Sequence, residues 1–157
     1  KCGMLSIAPP VLKTLRLLGY GGLIPFLALA MISLHQEAPA LQELARQGLA
    51  IYAVAILSFV GAVSWGVALA APDLTDRQRN ALLVFSVVPS LLVWLLYFLP
   101  EGSLRWLAFA GLTLVVFLAD RTHGRALGWP SEWLKLRMNL SLIVAGALIV
   151  AATGHSS

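Results

Sequence analysis

Charge is what this sequence most conspicuously lacks. Of its 157 residues, 11% are Asp, Glu, Lys or Arg, against roughly 25% in soluble domains. So few charges cannot cover a water-facing surface, which excludes an ordinary soluble fold. The 59% hydrophobic content excludes a disordered chain. Cysteine is almost absent: Cys2 alone excludes an internal disulfide and a multi-cysteine metal centre. With only Lys1 before it, Cys2 is not in a lipoprotein-like setting. Met4 reads as the natural start, and the first apolar run has no small-residue cleavage site after it, so no cleaved signal peptide is expected. Histidine is scarce too. His35, His123 and His155 stand at or beyond the ends of apolar runs, so no axial pair for a buried haem is expected. There is no P-loop, no dinucleotide fingerprint and no G-x-S-x-G. No cofactor, bound metal or catalytic residue is expected, and an enzyme is the less favoured reading.

What is present is apolar length, with a mean hydropathy of +0.86. A transmembrane helix takes about 20 apolar residues, and five such runs fill the chain at about 15–34, 48–71, 80–99, 104–119 and 136–153. The expectation is a single all-α membrane domain over 1–157, a bundle of five transmembrane helices. Pro25, in a Gly-rich stretch, should kink the first span. A polar connector after His35 reads as an interfacial helical turn. Ser58, Ala62, Gly66 and Ala70 put small side chains on one face of the second span, which permits close helix packing in lipid. Thr75 and Gln78 form a capping-box pattern ahead of the third span. Pro100 to Ser103 form a short turn, with Ser103 able to cap the fourth span. Pro130 and Ser131 begin the last helix.

Lys and Arg divide unevenly between the loops. Nine fall on the side of the N-terminus and of the 2–3 and 4–5 loops, whereas only Arg46 and Arg105 fall opposite. The positive-inside rule then puts the N-terminus in the cytoplasm, or in the matrix of a mitochondrion, and the C-terminus outside. The net charge of +4 is thus read as an orientation signal, and nucleic acid is not an expected partner. Tyr52, Tyr97 and Trp106 should lie at the outer interface, and Tyr20, Trp129 and Trp133 at the inner one.

No ionisable residue is expected deep in a span, which disfavours proton pumps and many ion-coupled carriers. Asp120 and His123 have metal-ligand spacing but no third ligand. Asp120 fits a helix-end ion pair with Arg137 or Arg121. Polar and proline residues gather in the inward half of the bundle: Tyr20, Pro25, Ser58, Trp65, Ser86, Pro89, Ser90 and Asn139 outline an expected cavity or partner groove. Asp120, Arg121, Arg125, Lys135 and Arg137 form an inner polar face suited to anionic lipid headgroups.

Residues 18–26 (LGYGGLIPF), 52–69 (YAVAILSFVGAVSWGVAL), 86–95 (SVVPSLLVWL) and 129–142 (WPSEWLKLRMNLSL) resemble, in order, the transmembrane-protein-69-like family, a bacterial and mitochondrial family of unknown function. Leu57, Ser58, Phe59, Gly61, Trp65 and Gly66 match its L-S-F-x-G-x-x-x-W-G. Pro130, Trp133, Leu136 and Arg137 resemble its closing Pro, Trp, Leu-Arg pattern, with Leu134 in place of the tyrosine that follows the tryptophan. The resemblance implies a five-helix inner-membrane protein and supplies no reaction. Two function classes follow. The first is a non-enzymatic scaffold, assembly or modulatory partner of other membrane proteins, or a homo-oligomer. The alternative is a small carrier or binder of a lipid, quinone or other mostly neutral molecule.

Overall fold

The computed structural model describes residues 7–35 and 37–154. Cys2, Met4 and His155, together with Lys1 from the charge count, lie outside these. The described residues form α1 (Pro9–Gly21), α2 (Leu23–Ile32), α3 (Pro39–Ala70), α4 (Asp76–Tyr97), α5 (Ser103–Ala126) and α6 (Ser131–Thr153), with no strand among them. Taken together, α1 and α2 make one membrane-length unit. With α3 to α6 this gives five helices long and apolar enough to cross a membrane. The surface agrees with a lipid solvent: Leu18, Phe59, Leu91, Trp94 and Leu118 are exposed, as side chains facing hydrocarbon should be.

Pro25 has no backbone N–H, so the Gly21 carbonyl four residues back loses its helical partner. The first span breaks beside that carbonyl, at Gly22. The Tyr52 hydroxyl donates to the Gly22 carbonyl at 2.9 Å, pinning the break to α3. Tyr52 therefore serves the middle of the bundle, its ring against Phe26 at 5.1 Å.

The polar connector and the second span are one helix. At 32 residues, α3 is about 48 Å long against a hydrocarbon core of about 30 Å, so its first turns project beyond the core. Its packed small face is not the stripe read from the sequence. Ala50, Ala53, Leu57, Gly61, Ser64 and Ala68 are buried, whereas Ala62, Gly66 and Ala70 are exposed. A Cβ on Gly61 would come within 2.6 Å of the Ser86 carbonyl oxygen. Glycine is thus what lets α3 and α4 approach, and these two helices share the most extensive contact in the fold, followed by α5 and α6.

The helix ends are closed by side chains and turns. Thr75 and Gln78 form the reciprocal capping box at the start of α4. Arg79 donates to the Ala68 and Ala71 carbonyls, covering the end of α3. Ser103 does not cap its own helix; its hydroxyl donates to the Ala152 carbonyl at 2.8 Å. Arg46 donates to Gly154 at 2.9 Å, so α3 and α5 together satisfy the last carbonyls of α6. The end of α5 is a Schellman motif: Trp129 N–H donates to Gly124 and Gly128 N–H to Arg125, with Gly128 at φ +68°. This motif lets α5 run to Ala126, beyond the boundary near 119 expected from hydropathy.

Trp106 is fully buried rather than interfacial. It packs edge-on to Phe109 and lies beneath the Arg105 guanidinium, 5.6 Å from its ring centroid. Arg105 is itself buried, pairing with Glu101 at 2.9 Å.

Candidate functional site: a lateral cavity beside a buried ion pair

The longer α5 changes the status of two charged residues. Asp120 lies inside α5 and Arg137 is the seventh residue of α6, roughly 9 Å from the start of its helix. Both are buried, at 4% and 7% exposure. Arg137 donates from Nε to Asp120 Oδ2 at 3.1 Å, and from Nη2 to the same oxygen. The span ends expected near 119 and 136 are therefore corrected: both charges lie within helices and are buried. Two opposite charges lie between α5 and α6, where each meets the requirement that an ion buried in a membrane protein be paired. Beside them, His123 stacks on Phe85 of α4 at 5.3 Å.

Next to this pair is a cavity of about 380 Å³, within the approximate 300–1,000 Å³ range of small-molecule sites. Its walls come from four places. The broken span supplies Leu15, Leu18, Gly19, Gly22, Leu23 and Phe26; α3 supplies Ile56, Leu57, Phe59, Val60 and Val63. Thr113 and Val116 of α5 form the floor, and α6 contributes Trp133, Leu136, Arg137, Leu140, Ser141 and Val144. The cavity lies beside the break at Gly22. Below it α2 packs on both α3 and α6, whereas α1 rests on α6 with no extended contact to α3. The gap between α1 and α3 is flanked by Leu18 and Phe59, which are 68% and 69% exposed. Both line the cavity, which therefore opens at the side of the bundle between exposed apolar side chains.

The lining is apolar apart from Thr113, Arg137 and Ser141. Thr113 donates to the Phe109 carbonyl at 2.8 Å, which keeps its hydroxyl oxygen free to accept. Among the described residues, the Ser141 hydroxyl and Arg137 Nη1 have no hydrogen-bond partner.

The residues expected from sequence to outline a cavity fall around this one rather than along its wall, whereas Arg137, expected on the inner polar face, lines it. Tyr20 and Asn139 meet at 3.4 Å on an exposed α1–α6 surface. Pro25 and Trp65 are exposed, and Ser58 is half-buried on α3. Ser86, Pro89 and half-buried Ser90 belong to α4, where the Ser86 hydroxyl donates to Leu83 at 2.6 Å. Of the inner polar face, Arg121, Arg125 and Lys135 remain exposed or half-exposed, while Asp120 and Arg137 turn inward to each other. Sequence reasoning missed Thr113 and the apolar wall. The glycines at 19 and 22, ahead of Pro25, were the available signal.

A bundle of five helices long and apolar enough to cross a membrane defines a polytopic helical membrane protein. Within that class the chain belongs to the family described as Protein of unknown function (DUF3429), whose profile matches residues 11–153. No curated protein and no solved structure matches the chain.

Proposed function

We propose that this protein binds a lipophilic small molecule that enters sideways from the bilayer. The cavity supports this reading: it is apolar, of small-molecule size, and opens between α1 and α3 toward lipid. Trp133 in its wall supplies the reporter. In nanodiscs, 1-bromododecane should quench the lipid-facing Trp65 and Trp94 in proportion to its concentration and should add a saturable component that Trp133→Phe removes. Val60→Phe, which narrows the cavity, should weaken that component severalfold. Quenching with no saturable component, or with one that is the same in all three proteins, rejects the reading.

A second reading, a scaffold or assembly partner, draws on the exposed small face of α3. Among the described residues, nothing beyond the adjoining backbone of α3 lies within 4 Å of a Cβ on Gly66, and Ala62 and Ala70 are exposed beside it. A Gly66→Cys protein cross-linked in native membranes should then give one stoichiometric adduct, with a second copy or with another membrane protein. Unreacted monomer alone removes this reading.

The proposed setting is a bacterial or mitochondrial inner membrane, with the N-terminal end inside. It is supported by the resemblance to the transmembrane-protein-69-like family and by the separation of basic residues between the two ends of the bundle. Arg121, Arg125 and Lys135 would face anionic headgroups there.

A further inference from the structure

The wall of the cavity carries one feature that an apolar guest would not need. Arg137 reaches the cavity with only part of its guanidinium engaged: Nε and Nη2 bond Asp120, and Nη1 has no partner among the described residues. One turn further along α6, Ser141 is also buried and lines the same cavity, its hydroxyl likewise without a partner. Spaced four residues apart, the two side chains share a helix face. Neither atom is among the fully buried unpartnered ones, so both are open to the chamber, where an acceptor on a guest can meet them.

Resting on the cavity reading above, we infer that the guest carries an uncharged carbonyl oxygen, held by Arg137 Nη1 and the Ser141 hydroxyl. The charge balance selects the uncharged form. Asp120 already neutralises Arg137, so a carboxylate or phosphate would bring a second negative charge beside a buried one. A neutral oxygen accepts a charge-assisted bond without that penalty. The chamber's size sets the shape: about 380 Å³ holds a ring or ester head and the start of one tail, and the rest of the tail leaves between Leu18 and Phe59. Two sources share this chemistry, a tailed quinone and an uncharged ester lipid.

Displacement of 1-bromododecane from the intact protein in nanodiscs tests the inference. Four competitors are compared: decylbenzene, a decyl-substituted benzoquinone, methyl dodecanoate and dodecanoate. One or both carbonyl probes should bind about tenfold more tightly than decylbenzene, the order of one hydrogen bond to a charged donor, and which does so identifies the source. Dodecanoate at neutral pH should gain no such advantage. The double variant Asp120→Asn/Arg137→Gln removes the cation without stranding a charge. It should bring the carbonyl probes down to the affinity of decylbenzene measured on the same variant. Ser141→Ala, a milder change, should erase part of the tenfold preference. Equal binding of all neutral probes to the wild-type protein, or preference for dodecanoate, overturns the inference and leaves the cavity reading standing. No saturable binding of any probe overturns both.

Discussion

At the scale of single residues, Asp120 and Arg137 are the most consequential pair. Each is buried, and each makes the other tolerable. Removing one partner of a buried ion pair costs about 3–5 kcal/mol, because the remaining charge is stranded. Asp120→Asn should therefore lower stability by roughly that amount, measured by unfolding in detergent or bicelles. Adding Arg137→Gln should recover most of it, since an amide pair of similar shape leaves no unpaired ion. An Asp120→Asn protein as stable as the wild type would mean that water or headgroups already reach the guanidinium. The pairing itself was legible in the sequence as one of two options for Asp120. Its burial was not, because that depends on where α5 stops, and hydropathy places the stop at the first charged residues.

At the scale of elements, the same helix carries a tight contact and an open one. Gly61 meets the Ser86 carbonyl so closely that a methyl group forces α3 from α4, whereas Gly66, on the same helix, meets nothing. Gly61→Ala should cost about 1–3 kcal/mol through overpacking. Gly66→Ala should be neutral or slightly stabilising in the isolated chain, because alanine favours helix. Unfolding of the two variants side by side checks the contrast, and equal losses would place a partner against Gly66. The sequence showed both glycines and a regular stripe through one of them. A four-residue repeat of small side chains shows that a helix has a thin face, but not which neighbour lies against it. That choice came from the α3–α4 contact. The break at Gly22 was more readable, since proline's missing donor dictates which carbonyl is orphaned. The tyrosine that covers the break comes from another helix and left no local signal.

Across the whole molecule, charge is sorted by end. The chain alternates direction, so the start of α1, the α3–α4 turn and the α5–α6 turn share one end. Among the described residues, Lys13, Arg16, Arg77, Arg79, Arg121, Arg125, Lys135 and Arg137 belong to that half, and only Arg46 and Arg105 to the other. Under the positive-inside rule, cysteines introduced at the exposed Asp73 and Ser131 should react with a membrane-impermeant reagent only after the cytoplasmic face is exposed. A cysteine at the exposed Pro100 should react in intact cells. The reverse pattern overturns the proposed orientation. Several of these arginines also do local work: Arg79 and Arg46 cover helix ends, and Arg137 holds Asp120. A bare count of positive charges does not distinguish a lysine facing headgroups from an arginine closing a helix.

The sequence alone determined the solvent and the element plan. Five apolar runs with short polar breaks admit only helices in lipid, since backbone polar groups there must be satisfied within each segment. Tertiary structure decided everything that depends on which helix faces lie together. It turned Trp106 inward, buried Asp120 and Arg137, set Gly61 rather than Gly66 against a neighbour, and left a chamber between α1 and α3. In lipid, a core-facing and a lipid-facing leucine are equally apolar, so the pattern that marks the inside of a soluble protein is missing. What distinguishes inside from outside here is close packing, together with a few hydrogen bonds between residues far apart in the chain.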